Sequence, residues 1–207
     1  MSLYRFAVGL LGPVLRLVWR PQVRGRENVP KEGGCILICN HLKWWDPLLL
    51  AVILPKQTLH FMAKQELFHG KFASWLLRRL NAFPVDRGKA DLSAVRASIS
   101  AIRSGGTLCI FPEGTRSKTG ELLPFEEGTA FFALKCNCPI FAAHIDTERC
   151  GGKRLVDFGT PIDADAIGAE LPRNARMALV TDTIRQEVLA LGEAQKRERA
   201  AKAKKQG

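Results

Sequence analysis

Short apolar runs alternate with amphipathic segments along most of the chain. The apolar runs predict buried strands, whereas the segments between them repeat apolar residues every three or four positions, as helices do. The predicted strands are 33–40, 59–64, 82–85, 107–111, 139–145 and 154–159, and the predicted helices are 47–54, 70–80, 91–106, 126–136 and a long one starting near Pro172. This alternation predicts an α/β fold with a mixed, mostly parallel sheet flanked by helices.

The first twenty residues form a distinct amphipathic segment. Its apolar stretch is interrupted by Pro13 and Arg16 and is shorter than the roughly 20 residues that a membrane-spanning helix needs. On a helix, Arg5, Arg16 and Arg20 fall on one side and the large apolar residues on the other. This pattern is typical of a helix lying in a membrane interface, but it also fits a helix that packs on its own domain. Pro13 is expected to split the segment into two short helices.

The 207 residues suit a single folded domain rather than two. We predict three segments: an amphipathic segment at 1–24, one domain at 25–195 and a basic C-terminal tail at 196–207. In the predicted helix 70–80, the apolar side chains of Phe72, Trp75, Leu76 and Leu80 share one side. Core packing is the expected role of that side, with a lipid-facing surface as the alternative.

The charge balance changes the picture of possible partners. The chain has 31 Lys and Arg residues against 20 Asp and Glu residues, a formal net charge of +11. Such an excess favours an anionic partner, which leaves nucleic acid, an anionic membrane surface and phosphorylated substrates as candidates. The six cysteines lack the spacing of a zinc site, so no metal is expected. Without an evident cleavable signal sequence, the free thiols suit a reducing cytosol.

Three polar clusters follow predicted strands, where open α/β sheets tend to bind ligands. They are "NHLKWWD" (40–46), "VDRG" (85–88) and "PEGTRS" (112–117). In the first cluster, His41 can accept a proton from an alcohol if Asp46 holds its other ring nitrogen. The alternative is purely structural, because an Asp directly before a Pro is a common helix N-cap. The two roles are compatible, since a carboxylate has two oxygens.

The other two clusters offer groups that could hold a phosphate. Gly114 permits a tight turn, and Arg116 offers a bidentate fork for phosphate oxygens. An ion pair between Glu113 and Arg116 is the simpler interpretation. Arg87 is either a surface arginine or a second phosphate contact, and Lys64 is either solvated or directed inward to stabilise an oxyanion.

In this order and spacing, "NHLKWWD", "FPVDRG" and "FPEGTRS" resemble the signature blocks of the glycerolipid acyltransferases. The likeness runs from about 25 to 145 and includes "HFMAKQELF" (60–68). It implies the α/β fold of that family and an enzyme at the cytoplasmic face of the membrane, held peripherally or at the interface. Such an enzyme moves a fatty acyl group from acyl-CoA or acyl-carrier protein to a lysophospholipid acceptor, without a cofactor, metal or nucleic acid. The expected reaction acylates the sn-2 hydroxyl of 1-acylglycerol 3-phosphate and yields phosphatidic acid.

The resemblance also assigns roles to matching residues. It makes His41 the general base and Asp46 the group that orients it. The residues implied to bind substrate are Arg87, Glu113, Gly114, Thr115, Arg116 and Lys64. One departure concerns the acceptor: family members commonly carry a basic residue in the segment that reads "PFEEG" here. Glu126 and Glu127 would repel a phosphate monoester and suit a zwitterionic or amine-bearing lipid better.

Two other function classes stay open at the level of sequence. Cys39 shares a strand face with His41 and could act as a thiol nucleophile that forms an acyl-cysteine. A protein without enzymatic activity could instead bind anionic lipid or nucleic acid through its basic surface alone, although this leaves the three ordered blocks unexplained.

Overall fold

A computed structural model describes residues 2–86, 91–126, 128–150 and 153–204. The strands of the described residues are β1 Gln22–Arg24, β2 Cys35–Cys39, β3 Leu59–Lys64, β4 Ala82–Val85, β5 Thr107–Ile110, β6 Ile140–Cys150 and β7 Lys153–Ile162. The α-helices are α1 Leu3–Trp19, α2 Asp46–Ile53, α3 Lys71–Arg79, α4 Leu92–Arg103, α5 Gly128–Cys136 and α6 Arg173–Lys204. Short 3₁₀ helices lie at Arg26–Asn28, Gln65–Phe68 and Ala164–Ala166.

The strands form one sheet in the order β1-β7-β6-β2-β5-β3-β4. Only β6 and β7 pair antiparallel among the described strands, so the sheet is mixed and mostly parallel, as the sequence predicts. Strand β2 lies in the middle, between β5 and β6, and all five of its residues are buried. This central position explains its continuous apolar run, because a strand covered on both faces has no solvent-facing side.

Alternate residues of β2 separate the core into two halves. Cys35, Leu37 and Cys39 belong to an apolar cluster that includes residues of α1 and α2, whereas Ile36 and Ile38 pack with α4, α5 and α6. Helix α3 contributes Leu77 to the first cluster and therefore lies on the same face of the sheet as α1 and α2. Helices therefore cover both faces of the sheet, because successive side chains of a strand point to opposite faces.

The structure corrects the prediction that Pro13 splits the N-terminal segment. Helix α1 runs without a break through Pro13, which lies on an exposed side of the helix. A proline removes one backbone N–H and usually breaks a helix interior. Here the two halves are held to the domain: the Tyr4 hydroxyl accepts the N–H of Leu59, and Arg16 donates from Nε and Nη2 to the carbonyl oxygen of Val52.

Those contacts also fix which side of α1 faces the domain. Tyr4 and Gly12 are buried, and the guanidinium of Arg16 caps the last turn of α2. The large apolar residues point to solvent instead, with Leu17 78% exposed and Leu10 60% exposed. The helix is therefore turned opposite to an ordinary amphipathic helix, which buries its apolar side. Among the described residues, none of the helices combines the length and apolar composition that a membrane crossing requires.

Two further differences from the sequence prediction concern α3 and the sheet edge. On the side of α3 expected in the core, Phe72 is 73% and Trp75 49% exposed, so the expectation is wrong for these two residues, whereas Leu76 and Leu80 are half-buried. Strand β1 was not predicted: its three residues pair with β7 at the edge of the sheet. The predicted boundary after residue 24 thus follows a sheet strand, and the predicted tail from residue 196 continues α6 to Lys204.

Candidate active site

The first and third polar clusters meet at one edge of the sheet. Because β2 and β5 are parallel neighbours, the loops that follow them leave the sheet side by side. The carbonyl oxygen of His41 accepts the N–H of Ser117 at 2.8 Å, and the N–H of His41 donates to Glu113 Oε1 at 2.7 Å. The backbone of His41 is therefore held on both sides by the loop after β5.

The side chains of His41 and Asp46 are in contact. Nδ1 of the imidazole lies 2.9 Å from Asp46 Oδ2. An ionised carboxylate can only accept, so a neutral imidazole that hydrogen-bonds to it carries its proton on Nδ1 and has a free lone pair on Nε2. The ring stacks on Phe111 with centroids 4.2 Å apart, and 17% of the His41 side chain is exposed. The arrangement leaves Nε2 available to take a proton from a bound alcohol.

Asp46 is fully buried and holds the loop before it. Its Oδ2 atom accepts the backbone N–H groups of Leu42 and Lys43, both at 2.7 Å, in addition to the imidazole. The residue begins α2, and the N-cap position belongs to Trp45, which makes no side-chain capping bond. The predicted N-cap role of Asp46 is therefore wrong: its carboxylate organises the preceding turn instead of the following helix. A short loop between His41 and Asp46 is what lets one carboxylate oxygen reach all three donors.

Glu113 lies beneath the site rather than on its surface. Its side chain is buried, and its two oxygens accept the N–H groups of His41 and Leu123, at 2.7 and 3.0 Å. Burial raises the pKa of Glu113, and these two backbone donors oppose the shift. Within the described part of the chain it makes no ion pair with Arg116, which removes the simple salt-bridge interpretation. The Glu113 carboxylate is thus linked to His41 through the backbone N–H of His41.

Thr115 and Arg116, in the middle of this loop, face solvent. Gly114 adopts a φ of 64°, a left-handed conformation that favours glycine, and its N–H donates to the carbonyl oxygen of Phe111. Thr115 and Arg116 follow it and are exposed. The carboxylate of Glu126 lies against Gly114, since a Cβ atom on that glycine would lie 3.5 Å from Glu126 Oε1. An exposed guanidinium and an exposed carboxylate therefore both lie in the connection between β5 and α5.

Lys64 and Arg87 differ from the other candidate residues. Lys64 ends β3, its side chain is 53% exposed, and its ammonium pairs with Glu66 at 2.8 Å. It is separated from His41 by strand β5, and its ion pair directs it to the surface. Arg87 lies outside the described residues. The part of its loop that is described ends at Asp86, whose N–H donates to Asp91, the N-cap of α4.

Two residues that support the imidazole were not identified from the sequence. The side-chain amide of Asn40 donates to the carbonyl oxygen of Ile145 at 2.9 Å and accepts its N–H at 2.7 Å. It thereby ties the end of β2 to β6 directly before His41. Phe111 supplies the stacking face. The sequence feature that could have indicated this role of Asn40 is its amide side chain at the end of an apolar run, directly before the candidate base.

The structure also bears on the thiol alternative. Cys39 is buried, and burial raises its pKa well above the ordinary thiol value. A thiol needs a lowered pKa and some exposure to act as a nucleophile. Cys35 and Cys109 are buried too, with raised pKa values for the same reason. Across the described residues, no group of His, Cys, Asp or Glu side chains has the arrangement of a metal site.

Comparisons with known proteins agree with this architecture. Residues 20–146 match the family model described as Acyltransferase. The 1-acyl-sn-glycerol-3-phosphate acyltransferase of Bacillus subtilis is 33% identical over 196 residues, covering 91% of this chain and 96% of that protein. The enzyme of the same name from Streptococcus pneumoniae is 29% identical and is matched over 78% of this chain and 64% of its own length.

A solved structure supports the fold independently. The crystal structure of the 1-acyl-sn-glycerophosphate acyltransferase PlsC from Thermotoga maritima superposes with a TM-score of 0.67. The match covers 91% of this chain and 79% of that one, at 24% identity, and so bears on the fold alone. The family model covers more than half of the chain, and the candidate base and its carboxylate both lie within it. From its sequence match and its architecture, the chain belongs to the acyltransferase family.

Proposed function

We propose that this protein transfers a fatty acyl group from acyl-CoA or acyl-carrier protein to the sn-2 hydroxyl of 1-acylglycerol 3-phosphate. The product would be phosphatidic acid, the precursor of phospholipids. The observation that carries the proposal is the 2.9 Å contact between His41 Nδ1 and the buried carboxylate of Asp46, in an acyltransferase domain. The names of the curated relatives from two bacteria point to the same acceptor.

The proposed chemistry is direct transfer with His41 as general base. Nε2 removes the proton of the acceptor hydroxyl as its oxygen attacks the thioester carbonyl. Asp46 stabilises the imidazolium that forms and keeps the ring in the required tautomer. The tetrahedral intermediate then collapses, the C–S bond breaks, and the departing thiolate takes the proton from the imidazolium. The products are the ester and the free thiol, and the histidine returns to its neutral form.

Acceptor binding is assigned to the exposed loop after β5. The guanidinium of Arg116 suits bidentate binding of a phosphate, and Gly114 and Thr115 shape the turn that presents it. Arg87 is proposed as a second phosphate contact from the loop after β4. Glu113 is assigned to holding the His41 backbone, and the proposal gives Lys64 no part in stabilising the oxyanion, because its ammonium pairs with Glu66.

We place the protein at the cytoplasmic face of the membrane, where its water-soluble acyl donors are found. Helix α1 supports contact with an anionic bilayer, because its large apolar side chains face outward while its other side is fastened to the domain. A helix of this kind lies in the interface with its apolar side among the lipids. In this proposal the segment 1–24 supplies the anchor and the domain 25–195 supplies the chemistry.

A second acceptor class is favoured by Glu126. Its carboxylate lies against Gly114 in the loop that also presents Arg116. A negative charge there suits a head group that carries an amine beside its phosphate. The second candidate function is therefore acylation of a zwitterionic lysophospholipid by the same His41–Asp46 pair. Glycerol 3-phosphate, a third acceptor, offers Arg116 the same phosphate group as lysophosphatidate.

One experiment ranks these acceptors. Purified protein receives a radiolabelled acyl-CoA or acyl-carrier protein and, in parallel, lysophosphatidate, lysophosphatidylethanolamine, lysophosphatidylcholine or glycerol 3-phosphate. The leading proposal predicts the largest kcat/KM with lysophosphatidate. Preference for the amine-bearing lipid, reversed in Glu126→Lys, would favour the second candidate. If active-site-intact protein acylates none of the four, the proposed function is wrong.

The thiol alternative is separated by Cys39→Ala. Direct transfer predicts that this variant keeps its turnover, because the thiol lies buried beneath the site. Loss of turnover in a folded Cys39→Ala protein, together with a trapped acyl-cysteine in the wild type, would support a covalent intermediate instead. A protein that only bound lipid would show no turnover in either form.

A further inference from the structure

Helix α3 presents an apolar face to solvent. Phe72 and Trp75 are stacked with their ring centroids 6.1 Å apart, and Leu67, in the 3₁₀ turn just before the helix, is 58% exposed. The other side of the same segment is already used, because Leu77 and Phe68 pack against the core. The exposed rings are thus additional to what the fold needs, and exposed apolar patches of this kind commonly mark interaction surfaces.

This face continues the outward side of α1. Leu3 and Phe6 from α1 join Trp75 and Arg79 from α3 in lining one groove of about 350 Å³. The outward apolar residues of α1 extend from there along the helix, and include Phe6, Leu10, Leu11, Val14, Leu17 and Val18. The two helices therefore form a single apolar surface on one face of the sheet.

The charges around this surface are positive. The guanidinium of Arg79 lies 5.9 Å from the centroid of Trp75, and that of Arg78 lies 5.6 Å from the centroid of Phe68. The sequence of α3 contains no acidic residue, and none occurs before Glu27 in the chain. The acid nearest to α3 in sequence on its N-terminal side, Glu66, is already paired with Lys64 at 2.8 Å. Aromatic rings beside guanidinium groups are suited to the level of anionic lipid head groups.

We propose that α3 is a second bilayer contact, which inserts Leu67, Phe72 and Trp75 into an anionic membrane surface beside α1. The inference rests on the proposed membrane association and adds a surface to it. A second copy of the chain is a poorer occupant, because a self-complementary interface would bring the basic side chains of both copies together. An anionic lipid surface instead supplies the opposite charge to Arg78 and Arg79.

Two membrane contacts would fix the orientation of the protein on the bilayer, whereas one contact would leave it free to rotate. A single interfacial helix permits rotation about its own axis, whereas α1 and α3 together define a plane. The end of α1 is linked to the loop that carries the candidate base: Arg154 lies 5.7 Å from the Trp19 ring and 5.9 Å from the Trp45 ring. Docking through both helices would therefore set the orientation of the His41 loop relative to the lipids.

The test compares three double variants of the full-length protein by co-sedimentation with vesicles. The vesicles contain equal parts of phosphatidylglycerol and phosphatidylcholine. Phe72→Ser/Trp75→Ser alters α3, Leu10→Ser/Leu17→Ser alters α1, and Leu92→Ser/Leu179→Ser is the matched control. The control residues are exposed at 66% and 42% on α4 and α6, the helices of the opposite face.

We expect the vesicle partition coefficient of the α3 variant to fall by at least about tenfold and that of the control to stay at the wild-type value. Acylation of a detergent-dispersed acceptor should persist in the α3 variant.

The outcomes separate the two proposals. If the α1 variant loses binding and the α3 variant binds as the wild type does, the inference about α3 is wrong while the α1 anchor stands. If neither variant changes binding, both are wrong. Sedimentation velocity without lipid tests whether the α3 surface instead mediates self-association. A wild-type dimer that becomes a monomer in the α3 variant would assign the surface to self-association and overturn the inference.

A milder substitution guards against misfolding of the serine variants. Brominated phosphatidylcholine quenches tryptophans that enter the acyl region. We expect Trp75→Phe to remove part of the vesicle-dependent quenching seen in the wild type while binding persists. Quenching that is the same in both proteins would show that Trp75 does not enter the bilayer, and would contradict the proposal.

Discussion

The carboxylate of Glu113 accepts the backbone N–H of His41 at 2.7 Å, so the loop after β5 holds the loop after β2. The second oxygen of Glu113 accepts the N–H of Leu123 at 3.0 Å. With the N–H of Ser117 on the His41 carbonyl, the backbone of His41 is fixed independently of its side chain. Asp46 and Phe111 then set the orientation of the ring. The position of the candidate base is therefore determined by residues from two segments, the connection between β5 and α5 and the start of α2.

Removal of Glu113 should affect stability and turnover before acceptor binding. Glu113→Ala leaves two partly buried N–H groups without their acceptor, which should lower the free energy of unfolding by roughly 2–4 kcal/mol. Glu113→Gln keeps one acceptor oxygen and should fall between the wild type and the alanine variant. Urea unfolding measures the loss, and steady-state kinetics should show a lower kcat with little change in the KM for the acceptor. A raised acceptor KM with unchanged stability would instead assign Glu113 to substrate binding.

Asp46→Asn should abolish most of the activity while the protein stays folded. The amide no longer holds the imidazole in the tautomer with a free Nε2, and it cannot stabilise the imidazolium. A loss of about 10³–10⁴-fold in kcat is expected by analogy with other His–carboxylate pairs. Circular dichroism and thermal melting establish the fold of the variant. Near wild-type kcat in Asp46→Asn would confine Asp46 to a structural role in its loop.

Arg116→Ala should weaken acceptor binding without destabilising the protein. The side chain is exposed, so the free energy of unfolding should change by no more than about 0.5 kcal/mol. Loss of a charge-assisted contact to phosphate should raise the acceptor KM by about 10–100-fold. Lys118→Ala, two residues further on and also exposed, is the matched control and should bind acceptor normally. Equal effects of the two substitutions would indicate a general charge effect rather than a specific contact.

His144 should make the protein less stable as the pH falls below neutrality. Burial lowers the pKa of His144, whose Nδ1 lies 2.8 Å from Gln195 Oε1 at the contact between β6 and α6. The unfolded chain takes up a proton near a pH of about 6.5, whereas the folded protein does so only at a lower pH. The free energy of unfolding should therefore decrease as the pH falls from about 6.5 towards that lower value. His60 is shifted in the same direction by burial and should add to the effect.

Thermal melts at pH 7 and pH 5 check this expectation. The fall in the melting temperature between the two should be smaller in His144→Leu than in the wild type. His69→Ala, which changes an exposed histidine, should retain the full wild-type difference. An unchanged difference in His144→Leu would locate the pH sensitivity elsewhere in the molecule.

The sheet and the candidate site could be predicted from the sequence, because the candidate functional residues directly follow apolar runs that indicate strands. The apolar run of β2 indicated a buried strand, and the polar residues directly after it identified the loop of His41 and Asp46. The three polar clusters after predicted strands marked where such sheets tend to bind ligands, and the hydrogen bond between His41 and Glu113 joins the first of these clusters to the third. Asn40 and Phe111 were missed, because their roles depend on a neighbouring strand and on a ring orientation that the sequence does not encode locally.

The outer helices were harder to predict, because an amphipathic pattern does not say which side is covered. Arg16 belonged to the basic side of the predicted amphipathic segment, and it donates to the Val52 carbonyl and holds that side to the domain. Pro13 was expected to end a helix, but the contacts on both sides of it hold α1 together. In α3 the apolar side resembled a core face, yet Leu77 contacts the core while Phe72 of that apolar side lies in solvent.

The removal of a proton from the acceptor hydroxyl by His41 is the central claim, and one comparison tests it most directly. Wild type, His41→Ala and His69→Ala are each given an acyl thioester and lysophosphatidate, and the ester product is quantified by mass spectrometry. We predict that kcat/KM falls by at least about 10³-fold in His41→Ala and stays at the wild-type value in His69→Ala. Ester formation at the wild-type rate by folded His41→Ala would contradict the account.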